Sequence, residues 1–259
     1  MSSNHGQFVW YELMTTDAAA AEAFYRHVAG WGAKDAGMPG MAYTLLSVGE
    51  TTVAGLMTLP AAASEAGARP GWVGYVAVED VDATAAQAVQ EGGAIRHGPE
   101  DIPGVGRFAV LTDPQGAGFA LFKSAEFTPG PALAPWTPGK FDWHELYAGE
   151  LESAAAFYTK LFGWTKSEAF DMGPLGTYQI FGGTGQGVGM MTKPVEVPAP
   201  FWKYYINVAD IDAAVARVQD AGGKIFHGPQ QVPGGAWIVQ GLDPQDVIFA
   251  LVGQRPNQA

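Results

Sequence analysis

Apolar and polar positions alternate from Phe8 to Met14, the period of a half-buried strand, and the period then changes to that of a helix. Ala21, Phe24, Tyr25 and Val28 fall at i, i+3, i+4 and i+7 and define one buried face. Asp17 stands where an N-cap is expected and Gly30 where a helix C′ residue is expected. Two short apolar runs, YTLLSVG and TVAGLMTL, come next. Each is bounded by Gly or Pro and is too short for a helix, so both read as hairpin strands. From Trp72 the order restarts with a strand to Val78, a helix from Asp80 to Gly92 and Gly93, and two or three strands closing at FALF. The first half of the chain is therefore expected to hold two βαβββ units.

The second half repeats the first. FVWYELMTTDAAAAEAFYRHVAGW (Phe8 to Trp31) returns as FDWHELYAGELESAAAFYTKLFGW (Phe141 to Trp164) at an offset of 133, and WVGYVAVEDVDA (Trp72 to Ala83) as WKYYINVADIDA (Trp202 to Ala213) at an offset of 130. GGAIRHGPEDIPG likewise answers GGKIFHGPQQVPG. Persistent identity with a small drift means two copies differing by short loop insertions. In the second copy Glu150 replaces Asp17, a weaker cap by residue type. Between the copies, FTPGPALAPWTPGK favours an extended, semi-rigid connector, with Trp136 expected to anchor it to a domain surface. The expected organisation is an N-terminal tail (1–7), a first domain (8–126), a Pro-rich linker (127–140), a second domain (141–253) and a C-terminal tail (254–259).

Composition narrows the function classes. The 259 residues are 47% hydrophobic and 15% charged, enough for a large core. A formal charge of −12 gives no basic footprint for nucleic acid or an anionic membrane, so neither is an expected partner. The absence of cysteine closes off disulfides, thiolate nucleophiles and thiolate zinc sites, and agrees with a reducing compartment. MSSNHGQ has no apolar signal-peptide core and no later run approaches a membrane span, so a cytoplasmic protein is expected.

The turns TDPQG (Thr112 to Gly116) and LDPQD (Leu242 to Asp246) place Pro just before a last apolar strand. With the opening strand, the AFY…GW helix and the GG helix end, this combination resembles the vicinal oxygen chelate superfamily over nearly the whole chain. That superfamily includes glyoxalase I, extradiol dioxygenases and the bleomycin and fosfomycin resistance proteins. The resemblance implies an α+β fold of two tandem glyoxalase-like domains, each made of two βαβββ units that curl into an open cup for a small ligand. It also implies divalent-ion ligands on the first, fifth and last strands of a domain. Those positions hold Trp10, Val73 and Ala120 in the first copy, and Trp143, Lys203 and Ala250 in the second. Tryptophan, valine and alanine offer no ligand atom, and lysine must lose its proton to bind. No metal residue is assigned and no cofactor is expected, a divalent ion being the disfavoured alternative.

What each cup is expected to present instead is an indole beside a carboxylate: Trp10 with Glu12, and Trp143 with Glu145, each pair on one strand face. A carboxylate among aromatic walls can serve as general acid or base, or simply pair with a neighbouring cation. Lys203 is placed to reach Glu145, whereas Val73 gives Glu12 no such partner, so the cups are expected to differ in charge. Tyr75 and Tyr205 are candidate cup walls, and His97 and His227, each before Gly-Pro, are candidate ligand contacts, although a strand-end histidine more often serves a structural or surface role. GGTGQGVG (Gly182 to Gly189) does not open a helix, so it is read as a hairpin loop and lid rather than a dinucleotide fingerprint. The expected function is metal-independent binding of a small apolar or aromatic ligand, with Glu12 and Glu145 the candidate catalytic groups. The competing readings are a metal-dependent glyoxalase, lyase or dioxygenase with displaced ligands, and a scaffold for a protein partner. Two similar domains in one chain suit a monomer or a homodimer.

Overall fold

The computed structural model describes residues 4–38, 40–125, 129–183 and 185–256. Parts of the expected tails (1–3 and 257–259), the last residue of the expected first domain with the first two of the linker (126–128), and Thr184 of the Gly-rich loop lie outside the described residues.

The first repeat runs β1 (Phe8–Thr15), α1 (Ala18–Ala29), β2 (Gly32–Asp35), β3 (Thr44–Val48), β4 (Thr51–Thr58), the short α2 (Ala61–Glu65), β5 (Gly71–Ala77), α3 (Val81–Gln90), β6 (Ala94–Ile102), β7 (Gly106–Thr112) and β8 (Gly118–Ser124). The second runs β9 (Phe141–Ala148), α4 (Leu151–Phe162), β10 (Thr165–Asp171), β11 (Thr177–Gly182), β12 (Gly187–Thr192), β13 (Phe201–Asp210), α5 (Ile211–Asp220), β14 (Lys224–Gln231), β15 (Trp237–Leu242) and β16 (Ile248–Gln254). Each repeat forms one open eight-stranded sheet, in the orders β2-β3-β4-β1-β5-β8-β7-β6 and β10-β11-β12-β9-β13-β16-β15-β14. The fold is α+β, two tandem sheets of paired βαβββ units. Among the described residues no helix is long and apolar enough to cross a membrane.

The helix ends follow from their capping residues. Asp17 accepts the amide of Ala20 to start α1, and Gly30, in the left-handed region at φ 75°, closes it by donating to Arg26. Glu150 proves a fuller cap than its type suggests: its two oxygens accept the amides of Glu152 and Ser153, both at 2.8 Å. The longer side chain loops back to place one oxygen on each donor. Those amides, Ser153 first, hold the Glu150 carboxyl below its ordinary pKa.

Packing divides the chain into two compact units, each built from one half of either repeat: residues 1–10, 73–128 and 143–203 in one, and 11–72, 129–142 and 204–259 in the other. Inside each unit one helix of the first repeat meets one helix of the second, α3 with α4 and α1 with α5. The tyrosine of the AFY motif is the lock. In one unit the Tyr158 hydroxyl donates to Asp113 at 3.2 Å and accepts from Trp202 at 2.9 Å. In the other, Tyr25 donates to Asp243 and accepts from Trp72, both at 3.1 Å. Asp113 and Asp243 also cap their own DP turns, each taking two backbone amides on Oδ1.

The linker is held by backbone and side-chain contacts: Thr51 donates to the Pro131 carbonyl and Trp31 to that of Gly139. Trp136 does not anchor it, being 57% exposed. At the Gly-rich loop, the Gln186 amide bonds both the N–H and the carbonyl of Phe8, which ties the start of β12 to β1.

Candidate functional site

Residues two apart on a strand leave the same face, so Trp10 and Glu12 on β1 share one side, as do Trp143 and Glu145 on β9. β1 runs parallel to β4 with Glu12 opposite Gly55. Tyr43, just ahead of β3, reaches across that glycine and donates its hydroxyl to Glu12 Oε2 at 2.8 Å. A Cβ at Gly55 would collide with the tyrosine ring. The second repeat builds the same arrangement. Glu145 lies opposite Gly189 of β12, Tyr178 crosses that glycine and donates to Glu145 Oε2 at 3.1 Å, and Trp143 Nε1 donates to the Tyr178 hydroxyl at 2.9 Å.

The two glutamates differ in burial. Lys203 on β13 forms an ion pair with Glu145 Oε1, and its ammonium stands 3.5 Å from the centroid of the Tyr147 ring. Side-chain exposure is 1% for Lys203 and 8% for Glu145, so the pair is removed from water and its attraction is little screened. Burial, and after it the Glu145 charge, push the Tyr178 hydroxyl well above its ordinary pKa, which keeps it a hydrogen-bond donor. Glu12 is only partly buried, and Val73 holds the position of Lys203. His144, the neighbour of Glu145, leaves the opposite face, donating from Nδ1 to the Gly187 carbonyl at 2.8 Å and stacking on Phe8 at 4.3 Å.

The remaining candidates line cross-strand rows. In the first repeat one row runs Tyr75, Ala120, Val110, His97, and the next Phe122, Phe108, Glu100. Tyr75, Ala120 and Phe122 are buried, with Trp10, Val73, Phe108 and Val110 packed round them half-buried, giving a broad apolar face. The matching rows of the second repeat are Tyr205, Ala250, Gln240, His227 and Val252, Ile238, Gln230. There the face is more polar, and Gln240 donates to the Tyr205 hydroxyl at 2.8 Å. His97 and His227 are both exposed, on the edge strands β6 and β14.

The donor set does not fit a divalent ion. At the positions where the resemblance places ligands stand two indoles, two alanines beside Tyr75 and Tyr205, a valine and a lysine. Among the described residues no group of three His, Asp or Glu comes together as a metal site. Beside Glu145 the cation is the ammonium of Lys203.

Tyr43, Tyr178, Gly55, Gly189 and Gln240 also belong to these sites, although the sequence pattern singles out none of them as a site residue. Their signal lies in the repeat: a tyrosine follows the strand glutamate in both copies, at Tyr43 after Glu12 and Tyr178 after Glu145.

The chain resembles known proteins along its whole length. It is 32% identical to a protein named putative glyoxylase CFP32 of Mycobacterium tuberculosis, over 96% of this chain and 95% of that protein. It is 28% identical to the anthracycline biosynthesis protein DnrV of Streptomyces peucetius, over 96% and 94%. Among solved structures, the Mn(II)-bound glyoxalase of Novosphingobium aromaticivorans aligns at a TM-score of 0.66 and 17% identity, over 97% of this chain and 82% of that one. The 2,2',3-trihydroxybiphenyl 1,2-dioxygenase of Sphingomonas wittichii strain RW1 aligns at 0.68 and 12% identity, over 97% and 91%. At these identities the structures show the fold alone. The sequence profile of the Glyoxalase/Bleomycin resistance protein/Dioxygenase superfamily matches residues 7–121 and again 140–251, and the chain belongs to that superfamily.

Proposed function

We propose that the protein binds small, largely apolar or aromatic ligands in its first repeat, without a metal ion, and that Glu12 can exchange a proton with a ligand beside it. The observation that carries this reading is the half-buried Glu12 carboxylate held by the Tyr43 hydroxyl. Glu145 is buried against its own lysine, while Glu12 keeps partial exposure and a tyrosine donor. A carboxylate steadied by a phenol and flanked by an indole can take a proton from a ligand or return one without a Lewis acid. The relative named for anthracycline biosynthesis points the same way, since anthracyclines are polycyclic aromatic compounds.

A metal-dependent lyase or dioxygenase is the second reading, favoured by the relative named putative glyoxylase. Elemental analysis of protein purified without chelator, run beside mass spectrometry of co-purifying small molecules, separates the two. The proposal expects metal far below one ion per chain and an aromatic compound released on denaturation. Stoichiometric Zn, Ni, Mn or Fe that disappears in Glu145→Gln or His227→Gln overturns it.

A further inference from the structure

The first repeat carries a titratable pair that its twin lacks. His97 Nε2 lies 2.7 Å from Glu100 Oε1, and the imidazole rests on Phe108 with ring centroids 5.6 Å apart and planes 34° from parallel. Residues three apart on a regular strand point to opposite faces. Register shifts on either side of His97 bring both side chains to the same face, His97 in line with Val110 and Tyr75, Glu100 in line with Phe108 and Phe122. Gly98 makes this local turn at φ 77°, and a Cβ there would meet the Phe108 carbonyl. Thus the apolar face of the first repeat ends, at the edge strand β6, in an imidazole–carboxylate pair. The second repeat keeps the histidine and the turn, with His227 and Gly228, but has Gln230 for Glu100 and Ile238 for Phe108.

Building on the ligand-binding reading above, we propose that His97, oriented by Glu100, takes the proton of an acidic hydroxyl on a flat aromatic ligand lying over Phe108, which names the ligand class as a phenol or enol. The carboxylate accepts from Nε2–H, which selects the tautomer with the Nδ1 lone pair available, and Nδ1 has no hydrogen bond among the described residues. The hydroxyl proton moves to Nδ1, the ligand oxygen becomes a phenolate or enolate, and the imidazolium lies between two anions. The other charged groups of these strands are engaged elsewhere: Arg96 with Thr112, and Arg107 with Asp82 and Asp101. Both side chains are about half exposed, at 57% and 52%, so as a surface ion pair alone the dyad would add little to stability.

The test uses the full chain and 2-hydroxyanthraquinone, whose phenolate absorbs at longer wavelength than its phenol. Binding is followed by fluorescence quenching, and ionisation of the bound dye by its spectrum as pH is raised. Wild type is expected to bind the dye and lower its apparent ionisation by about one pH unit. His97→Gln and Glu100→Gln are expected to abolish that shift and with it the roughly tenfold tighter binding of the ionised dye that it implies, whereas Phe108→Ala should weaken binding of both forms by about tenfold. Identical ionisation in wild type and His97→Gln overturns the dyad and leaves the binding reading standing. Failure of wild type to bind the dye overturns the proposed ligand class, and binding unchanged in Phe108→Ala overturns the placement.

Discussion

A lysine ammonium with 1% side-chain exposure is tolerable only because Glu145 and the Tyr147 ring face it. Such a pair adds little net stability over an apolar substitute, yet removing one member leaves the other charge buried and uncompensated. Lys203→Met is therefore expected to cost about 3–5 kcal/mol, and the double variant Lys203→Met with Glu145→Leu to recover most of it. Urea titration of the three proteins measures this, and a double variant as unstable as the single one would refute the pairing argument. That Lys203 and Glu145 meet was legible in the sequence, because the repeat puts both on first-module and second-module opening strands. The tyrosine bridging to each glutamate was not. Tyr43 lies ahead of β3 and comes back over Gly55 only because the β3–β4 hairpin folds it there, a contact that no strand period encodes.

At the scale of elements, the conserved-looking words of the two repeats resolve into one device, a DP turn whose aspartate grips the tyrosine of a helix from the other repeat. Burial raises the pKa of Asp113 and of Asp243 above the ordinary 3.8, and the hydrogen bonds each accepts only partly offset it. A carboxyl that holds its proton more tightly folded than unfolded stabilises the fold fully below its unfolded pKa, and that contribution is lost as pH rises through the folded value. Glu150 and Asp82, whose pKa values are lowered, act in the opposite sense. They cancel when wild type is compared with Asp243→Asn. The stability advantage of wild type over that variant should hence shrink as pH climbs from about 4, and a pH-independent difference in urea midpoint would contradict the burial argument. Capped helices and apolar strands were readable because their signals are local. β2, with the sequence GAKD, and β10, largely exposed, carry no alternation, and they are strands only through pairing with β3 and β11.

At the scale of the molecule, sequence repeats and packing units do not coincide, and this bears on why the two copies share a chain. In the unit formed by residues 11–72, 129–142 and 204–259, Phe24 and Tyr25 of the first repeat pack against Phe249 of the second, and Tyr25 bonds Asp243. In the other unit Phe119 of the first repeat packs on Phe157 and Tyr158 of the second. A fragment comprising residues 8–126 would keep Phe24, Tyr25, Asp113 and Phe119 but lose every one of these partners, exposing the apolar side chains that pack against them. Yet the repeat alignment sets Asp113 against Asp243 and Phe119 against Phe249, so one copy of the fragment carries what a second copy is missing. Two fragments can then exchange helices and DP turns reciprocally about a two-fold axis. The isolated repeat is expected to sediment as a homodimer at micromolar concentration, and Tyr25→Phe together with Asp113→Ala to drive it to monomer or aggregate. A folded monomeric fragment, with native near-ultraviolet circular dichroism, would show that the repeat owns a complete core and that the interlocking tyrosines are dispensable.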